Sequence, residues 1–490
     1  QRSKSVEKRR LLHAMIGTIL AYVFLLWYAI MLTAAFCGFR CIYTRFAHPA
    51  PAPSSLSHGD HLLSKIRGEN PDFEHLEPVS IVRPVKGLDP ELASCLELSF
   101  LQNYPLEKLE VIFCVAEATD AAIPVLKGLL AKYPKVDAHI LVLPAEGDYF
   151  GPNPKVNNLA KGFKRAKYDL VWIMDLNVWA SRNLLANLVA AMMHNTNCGA
   201  YLGNTARRVR LVHHVPLALA LDNRSGPGSL LDEMFLFTSH LKFYVSLNNL
   251  AIAPCVNGKL NLYRKLDLDH AVARIPLQRL PFFSDANVIL DARRVAEKGP
   301  GHLMEFFAKY IGEDNMIGIA LWEYCGGRTA LTGDVVVQPL QTQNQADSLR
   351  EYCNRRVRWL RVRKYMVLAA TLVEPTTELI ICGLMGTYAV SVLIFGRLFS
   401  ARFFVFHMAC WLVCDYVQYH IWARHINSVT QGPLWLHAIG PSRSLHLWVK
   451  TWCLRELLAL PIWVAAMVGH EIEWRGKPFR IKKDLSVEEL

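Results

Sequence analysis

Residues 168–175 read Tyr-Asp-Leu-Val-Trp-Ile-Met-Asp, in which a continuous apolar run, 170–174, ends directly on the acidic residue Asp175. A short apolar run of this kind is typical of a strand that is buried on both faces, as in a parallel sheet. Ligands of open α/β sheets bind at the carboxyl ends of such strands. Asp175 is therefore the first candidate functional residue, although a lone Asp at this point is more often a helix cap or a turn former.

Further predicted strands, alternating with helices, precede the strand that ends at Asp175. Strands are predicted at 79–85, 109–115, 138–143 and 169–174, and helical spacing occurs at 91–101, 122–132 and 159–166. Strands that alternate with helices predict a mainly parallel sheet covered on both faces, an α/β fold of the Rossmann-like kind. Two stretches near 207–231 and 267–299 contain Pro, Gly and charged residues, and they are predicted to be insertions or long surface loops.

Apolar segments flank this domain. The chain is 52% hydrophobic, with a mean hydropathy of +0.17, which is high for a soluble enzyme. A transmembrane anchor is predicted at 11–39 because this run is long enough to cross a bilayer and follows Lys8, Arg9 and Arg10. About three more helices are predicted in a C-terminal membrane region, 366–470, at 379–395, 403–422 and 445–468. The last of these either spans the bilayer or lies in its interface.

The remaining segments complete the domain plan. It comprises a basic segment at 1–10, a Pro/Ser/Ala-rich linker at 40–75, the α/β domain at 76–365 and a basic tail at 471–490. The basic cluster at 350–364 is larger than the one before the first span, so the positive-inside rule predicts a cytosolic α/β domain. A lone glycosylation sequon at Asn223 would matter only if that domain were lumenal.

The net charge of +12 points to anionic partners. Nucleotide phosphates, an anionic membrane surface or basic flanks of membrane spans each explain it. Nucleic-acid binding is disfavoured because the chain has neither a recognition motif nor a basic stretch interleaved with aromatic residues. The twelve cysteines are scattered without paired spacing, which argues against a zinc site and a disulfide framework.

Two acidic residues and a basic motif together indicate a reaction. Asp175, Asp314 in Gly-Glu-Asp-Asn and the run Arg-Arg-Val-Arg-Trp at 355–359 supply what glycosyl transfer from a nucleotide sugar requires. One carboxylate can hold a divalent cation at the diphosphate, and a second can take the acceptor proton. Guanidinium groups can bind the donor phosphates.

These residues lie within a longer series of motifs that resembles one family. The motifs are RPVKGLDP (83–90), PNPKVNNL (152–159), YDLVWIMD (168–175), FTSHLKFY (237–244), CVNGKLNLYRK (255–265), YIGEDN (310–315), RRVRW (355–359), EPTTE (374–378) and WRGKPFR (474–480). In their order and spacing the chain resembles the ceramide glucosyltransferases, the lipid-acceptor branch of inverting GT-A glycosyltransferases (family 21), in their fungal-type form. The resemblance implies a GT-A catalytic domain, UDP-glucose as donor, Mn²⁺ or Mg²⁺ as cofactor and ceramide as acceptor at a Golgi or ER membrane.

The resemblance also implies roles for individual residues. Asp175 is similar to the family's second aspartate, at which a metal would rest with the diphosphate oxygens. Asp314 is similar to the third aspartate, the general base for the ceramide hydroxyl. Arg355, Arg358 and Trp359 match the basic motif at the diphosphate and the acceptor mouth.

Further residues match the family near the donor. Lys155 and Asn157 resemble donor contacts, and Arg83 belongs with them. His240 matches a histidine tied to activity and inhibitor sensitivity, and Cys255 matches a cysteine close to the donor pocket. Each also has a purely structural interpretation: a buried histidine for His240 and core packing for Cys255.

The chain departs from the family at the first aspartate. The segment 114–122, Cys-Val-Ala-Glu-Ala-Thr-Asp-Ala-Ala, offers only Glu117 and Asp120. Asp120 is favoured for uridine contact, with Glu117 as the alternative. Glu374, Glu378 and Asp415 either touch ceramide or pair structurally with arginines.

Two other functions remain open at this point. A processive polysaccharide synthase shares the aspartates and the basic motif but requires more membrane helices than the chain offers. A non-catalytic lipid-binding scaffold would retain the fold, although intact Asp175, Asp314 and Arg358 argue against it. The sequence does not indicate the oligomeric state.

Overall fold

The computed structural model describes residues 2–47, 76–142, 149–198, 200–202, 206–221, 226–341, 346–429, 431–438, 443–474 and 477–490. Of the linker predicted at 40–75, the structure describes residues 40–47. The sequon at Asn223 lies outside the described residues.

The strands of the described chain form a central mixed sheet and smaller ones. They are β1 (Val79–Val85), β2 (Leu109–Val115), β3 (Asp137–Val142), β4 (Leu170–Met174), β5 (Trp179–Ala180), β6 (Thr196–Asn197), β7 (Ala200–Tyr201), β8 (Arg208–His213), β9 (Leu217–Ala220), β10 (Leu260–Arg264), β11 (Gly327–Leu331), β12 (Val336–Leu340), β13 (Glu471–Trp474), β14 (Lys477–Ile481) and β15 (Val487–Glu489).

The central sheet has the order β11-β8-β10-β4-β1-β2-β3 within the described residues. Strand β10 alone runs antiparallel to its neighbours, β4 and β8, while the other neighbouring pairs are parallel. The chain proceeds outward from β1 to β3 and then returns to the opposite side of β1 at β4. The carboxyl ends of β1 and β4 thus form a topological switch point, where ligands of such sheets bind. The predicted mainly parallel α/β sheet is confirmed.

Helices cover both faces of this sheet and continue into the membrane region. They are α1 (Arg2–Arg45), α2 (Leu92–Glu97), α3 (Ile123–Lys132), α4 (Pro154–Arg165), α5 (Leu184–Met193), α6 (Pro227–Phe237), α7 (Ser239–Leu250), α8 (Lys265–Arg274), α9 (Ala286–Glu297), α10 (Glu313–Tyr324), α11 (Ser348–Met366), α12 (Leu368–Val373), α13 (Leu379–Phe395), α14 (Ala401–Asn427), α15 (Leu434–Ala438) and α16 (Leu445–Val468).

The two stretches predicted to be insertions or long surface loops contain regular elements where the structure describes them. The stretch 207–231 contributes β8, a strand inside the central sheet, then β9 and the start of α6, and the stretch 267–299 contributes most of α8 and all of α9. Pro216 and Pro227 lie between or at the ends of these elements. A proline at the first turn of a helix starts the element rather than breaking it.

Helix α4 begins at Pro154, five residues before the predicted start at 159. The side chain of Asn153 caps it by accepting hydrogen bonds from the backbone N–H groups of Lys155 and Val156. This cap places Lys155 in the first helical turn, at the edge of the sheet where β4 ends.

Helices Leu11–Arg45 and Leu445–Val468 are long and apolar enough to cross a membrane. The segments Leu368–Thr377 and Leu379–Phe395 are separated by a bend of 75°. If the two segments together form one bent span, they are a third candidate. Helix α14, which contains the predicted segment 403–422, is not among these candidate spans. Its Asp415 and Gln418 are fully buried, and Asp415 accepts hydrogen bonds from Lys242 and Trp452, so this helix packs a polar face against the protein.

The predicted basic tail is an ordered element. Within 471–474 and 477–490, the residues described there, the chain forms the three-stranded sheet β13-β14-β15. Its Ile481 and Val487 pack against Ile311 and Tyr365, next to the segment that leads into α10. This small sheet therefore supports the segment that leads into α10, the helix that carries Asp314.

Candidate active site

Asp175 lies immediately after β4, at the switch point, between two lysines. Its Oδ1 is 3.0 Å from Lys155 Nζ, and its Oδ2 is 3.4 Å from Lys259 Nζ. Burial would raise the pKa of Asp175, but the two ammonium groups hold it below its ordinary value. The same burial lowers the pKa of Lys259, although the charge of Asp175 opposes that shift.

Lys155 links Asp175 to the start of α10. Its Nζ donates to the carbonyl oxygen of Gly258 at 2.9 Å and lies 2.9 Å from Glu313 Oε1. Asn153 donates to the other oxygen of Glu313 at 3.0 Å, so this buried carboxylate is paired on both sides. Burial would lower the pKa of Lys155, but Asp175, Glu313 and Asp314 raise it, so the lysine stays protonated. Two distant segments, residues 175 and 313–314, thus meet on one ammonium group.

Asp314 follows in the first turn of α10 and is partly buried. Burial and the neighbouring Glu313 carboxylate raise the pKa of Asp314 to about 7, while Lys155 opposes the shift. A carboxyl group that titrates near neutral pH is suited to general-base catalysis, because it is ionised at working pH yet still basic enough to hold a proton.

Arg83 is fully buried beneath Asp175 and does not face the cleft. Its guanidinium donates to the carbonyl oxygens of Cys95 and Asp175, each at 2.6 Å, and of Leu176 at 3.2 Å. No part of this side chain is exposed in the structure. Arg83 fixes the backbone turn from which the Asp175 carboxylate projects.

Asn157 likewise holds backbone. Its amide donates to Gly151 O at 2.7 Å, and its carbonyl oxygen accepts from the N–H of Phe150 at 3.1 Å. The side chain thus shapes the loop before α4, which is a different use from the expected donor contact.

Of the two candidates for the first family aspartate, Asp120 accepts hydrogen bonds from the backbone of two loops. Its carboxylate accepts from the N–H of Gly87, after β1, at 3.0 Å and from the N–H of Ala122 at 2.8 Å. It joins the loops that follow β1 and β2 at the carboxyl edge of the sheet. Glu117 is exposed in the same loop.

His240 and Cys255 lie between the active-site cleft and the membrane helices. The ring of His240 is 5.2 Å from Phe235 and 5.1 Å from Tyr244. Burial and the charges of Arg356 and Arg363 lower the pKa of His240 to about 3, so this ring is neutral. Burial also raises the pKa of the Cys255 thiol, which leaves it protonated.

The side chains of the basic motif on α11 make contacts in three different parts of the structure. Arg355 forms an ion pair with buried Asp232. Arg358 donates to the carbonyl oxygen of Glu473 in β13 at 3.2 Å. Trp359 shares a cleft of about 290 Å³ with Lys259 and His214. Trp359 is thus the motif residue that lines a cleft with a partner of Asp175, whereas the observed contact of Arg358 is with the C-terminal sheet.

Three residues of this site escaped sequence reasoning: Asn153, Lys259 and Glu313. All three lie within motifs quoted above, Asn153 in 152–159, Lys259 in 255–265 and Glu313 in 310–315. The available signals were the Asn-Pro start of α4, a helix-capping pattern, and the paired acids of Gly-Glu-Asp-Asn.

A metal ion would depend on the nucleotide. Within the described residues, no group of three or more His, Cys, Asp and Glu side chains could hold one. Asp175 alone projects from the switch point, and both of its oxygens face ammonium groups. This arrangement fits a divalent cation that takes most of its ligands from a diphosphate, as Mg²⁺ commonly does, rather than one that the protein binds alone.

The chain is similar to known glycosyltransferases. The family model described as glycosyl transferase family 21 matches residues 54–271 and 292–487. A ceramide glucosyltransferase of Candida albicans is 49% identical, with 96% of this chain and 97% of that protein covered. A ceramide glucosyltransferase of Komagataella phaffii is 46% identical, with 96% and 92% covered. Among solved structures, a mannosyltransferase from Pyrobaculum calidifontis in complex with GDP-Man and Mn²⁺ matches with a TM-score of 0.42 and 15% identity, covering 92% of this chain and 98% of that one.

Proposed function

Because the chain belongs to glycosyl transferase family 21, we propose that it transfers glucose from UDP-glucose to the primary hydroxyl of ceramide, with inversion. The products are glucosylceramide and UDP. The GT-A catalytic domain and the apolar helices at both ends are consistent with an enzyme whose acceptor resides in a membrane.

The observation that carries the proposal is that Asp175 and Glu313, the residue before Asp314, both pair with Lys155. Asp175 lies at the strand ends where a diphosphate would bind, and Asp314 Oδ2 and Lys155 Nζ both lie next to Gly258. A donor site and a base are thereby adjacent, which is the arrangement that direct displacement at an anomeric carbon needs.

Asp314 acts as the general base. It accepts the proton of the ceramide hydroxyl as that oxygen attacks the anomeric carbon, and the bond between the carbon and UDP breaks with its electron pair leaving on UDP. A single displacement of α-linked glucose gives the β-linked product. General-base catalysis of this type contributes on the order of 10²–10⁴-fold.

Lys155 and Lys259 oppose the negative charge of the donor diphosphate, since both ammonium groups already lie at the Asp175 carboxylate. Trp359 closes the cleft beside Lys259. A divalent cation, Mn²⁺ or Mg²⁺, held by Asp175 with diphosphate oxygens would neutralise the charge that develops on departing UDP.

The catalytic domain faces the cytosol of a Golgi or ER membrane. The basic residues of α11 favour this orientation under the positive-inside rule, and the same residues lie next to the candidate spans. Ceramide then presents its hydroxyl without leaving the bilayer, from which extraction would cost about 0.8 kcal/mol per CH₂.

The test is transfer by the purified full chain from labelled UDP-glucose and UDP-galactose to short-chain ceramide, with and without Mn²⁺ or Mg²⁺. We expect a single β-glucosyl ceramide from UDP-glucose, and transfer reduced at least about a hundredfold by Asp314→Asn. A polymeric product would favour a polysaccharide synthase, and lack of UDP-glucose binding would favour a scaffold. Near-normal transfer by the variant would refute the base assignment.

A further inference from the structure

A second cleft lies at the bend between α12 and α13, away from Asp175. Its volume is about 350 Å³, and its walls come from α6, α11, the bent pair and α16. Two of these elements, the bent pair and α16, are candidate membrane spans. Broken spans are tolerated where the interrupted backbone lines a substrate site, so the bend itself indicates a binding function.

One wall of this bend cleft is charged. Arg455 Nη1 is 3.0 Å from Glu378 Oε2, and Arg356 Nη2 is 3.8 Å from Glu374 Oε1. Ionisable side chains within membrane segments are costly and usually mark a substrate path or a partner. Arg455 is only 1% exposed, and its Nε has no hydrogen-bond partner among the described residues. The wall thus offers both carboxylates that accept and a guanidinium that can still donate.

The opposite wall is apolar and borders the lipid. Ile462 is buried, and Ala459 and Trp463 are half-buried where they line the cleft. Their neighbours on α16 turn outward, since Leu460 and Val464 are 43% and 46% exposed. On a helix that spans the membrane, such positions face acyl chains. A lipid can therefore reach the cleft sideways without passing through water.

Helix α11 connects the cleft with the start of α10. Arg356 and Leu360 line the cleft, and the guanidinium of Arg356 stacks 3.4 Å from the centre of the Phe235 ring. Farther along the same helix, Val362 and Met366 lie beside Gly312, two residues before Asp314.

From these observations we propose that the bend cleft binds the ceramide acceptor. Glu374, Glu378 and Arg455 take the amide and the secondary hydroxyl of the lipid, which leaves the primary hydroxyl for Asp314. The inference rests on the proposed function and extends it to the residues that recognise the acceptor. The cleft takes the polar head and the first carbons of the chains, and the rest of both chains stays in the bilayer. The polar groups of ceramide match the wall, because its carbonyl oxygen accepts from a guanidinium and its N–H and O–H groups donate to carboxylates.

The first experiment fills the cleft without touching the charges. In nanodiscs, Ala459→Phe is compared with Val464→Phe, which adds an aromatic ring one turn away on the lipid-facing side. We expect the KM for ceramide to rise about tenfold or more in Ala459→Phe and to stay unchanged in Val464→Phe. The Kd for UDP, measured by calorimetry, should match wild type in both, which shows an intact donor site.

A second experiment uses the wild-type protein. A ceramide with a photoactivatable diazirine next to its amide should label peptides that contain 374–378 or 455–463, and excess unlabelled ceramide should suppress that labelling. Unchanged ceramide KM in Ala459→Phe, or suppressible labelling confined to other peptides, overturns the proposal. Either result differs from failure of the proposed function, in which wild type itself would not glucosylate ceramide.

Discussion

Gly258 leaves no room for a side chain beside Asp314: a β-carbon on this glycine would lie 2.6 Å from Asp314 Oδ2. The same β-carbon would lie 3.4 Å from Lys155 Nζ. The glycine thus faces both the proposed base and the lysine that pairs with Asp175. Because Asp314 Oδ2 is the end of a flexible side chain, an added methyl group would move the carboxylate rather than the backbone.

Gly258→Ala should therefore lower kcat with little effect on folding. A displacement of about 1 Å at a reacting group costs on the order of 10²-fold in rate, and we expect a fall of that size with the UDP Kd retained. Gly128→Ala, on α3, is the matched control, since no atom lies within 4 Å of its added methyl. Equal kcat for both variants would show that the position of Asp314 is not critical.

Activity should fall on the acid side of neutrality. The pKa of Asp314 is raised to about 7, so the carboxyl group is protonated below that pH and can no longer accept a proton. We expect kcat to be constant above about pH 7.5 and to fall about tenfold per pH unit below about pH 6.5. The profile is measured at saturating UDP-glucose and ceramide. A kcat that stays level from pH 7.5 to pH 5 would contradict the assignment of this group as the base.

Metal binding should require the nucleotide. Both Asp175 oxygens face ammonium groups, so we expect Mn²⁺ alone to bind no tighter than about 1 mM and UDP to improve its affinity at least about tenfold. Electron paramagnetic resonance of free Mn²⁺ measures both states. Asp175→Asn should remove the effect of UDP, whereas Asp137→Asn, a 53% exposed surface carboxylate, should retain it. Tight Mn²⁺ binding without UDP would mean that the protein supplies a complete ligand set.

Arg83→Lys should destabilise the domain. The lysine keeps the charge but loses the planar fork that serves the carbonyl groups of Cys95, Asp175 and Leu176. Carbonyl groups left without donors cost about 1–3 kcal/mol each, so we expect a fall of about 2–4 kcal/mol in unfolding free energy. Thermal unfolding of detergent-solubilised protein measures it, with Arg294→Lys on the exposed face of α9 as control. A Tm equal to that of the control would deny Arg83 its positioning role.

Much of the fold was predictable because the order of hydrophobic and polar residues along a short segment indicates its secondary structure. The predicted bounds of β1 and β2 agree with the structure residue for residue, since both strands are buried along their whole length and are mostly apolar, with a single charged residue in each, Arg83 and Glu110. Strand β8 was missed because exposed Arg208 and half-buried Arg210 leave one apolar residue among its first three, although the strand lies within the central sheet.

The sequence by itself determined the alternation of strands and helices, the apolar helices at both ends, and the place of Asp175 at a strand end. Each follows from the burial of neighbouring residues, which leaves a short-range signature. Only the tertiary structure decided that Lys155 joins Asp175 to Glu313 and that Arg83 supports the turn instead of facing the cleft. These relationships connect residues up to 158 positions apart. They depend on which strand ends and helix starts meet in space, and no local pattern carries that information.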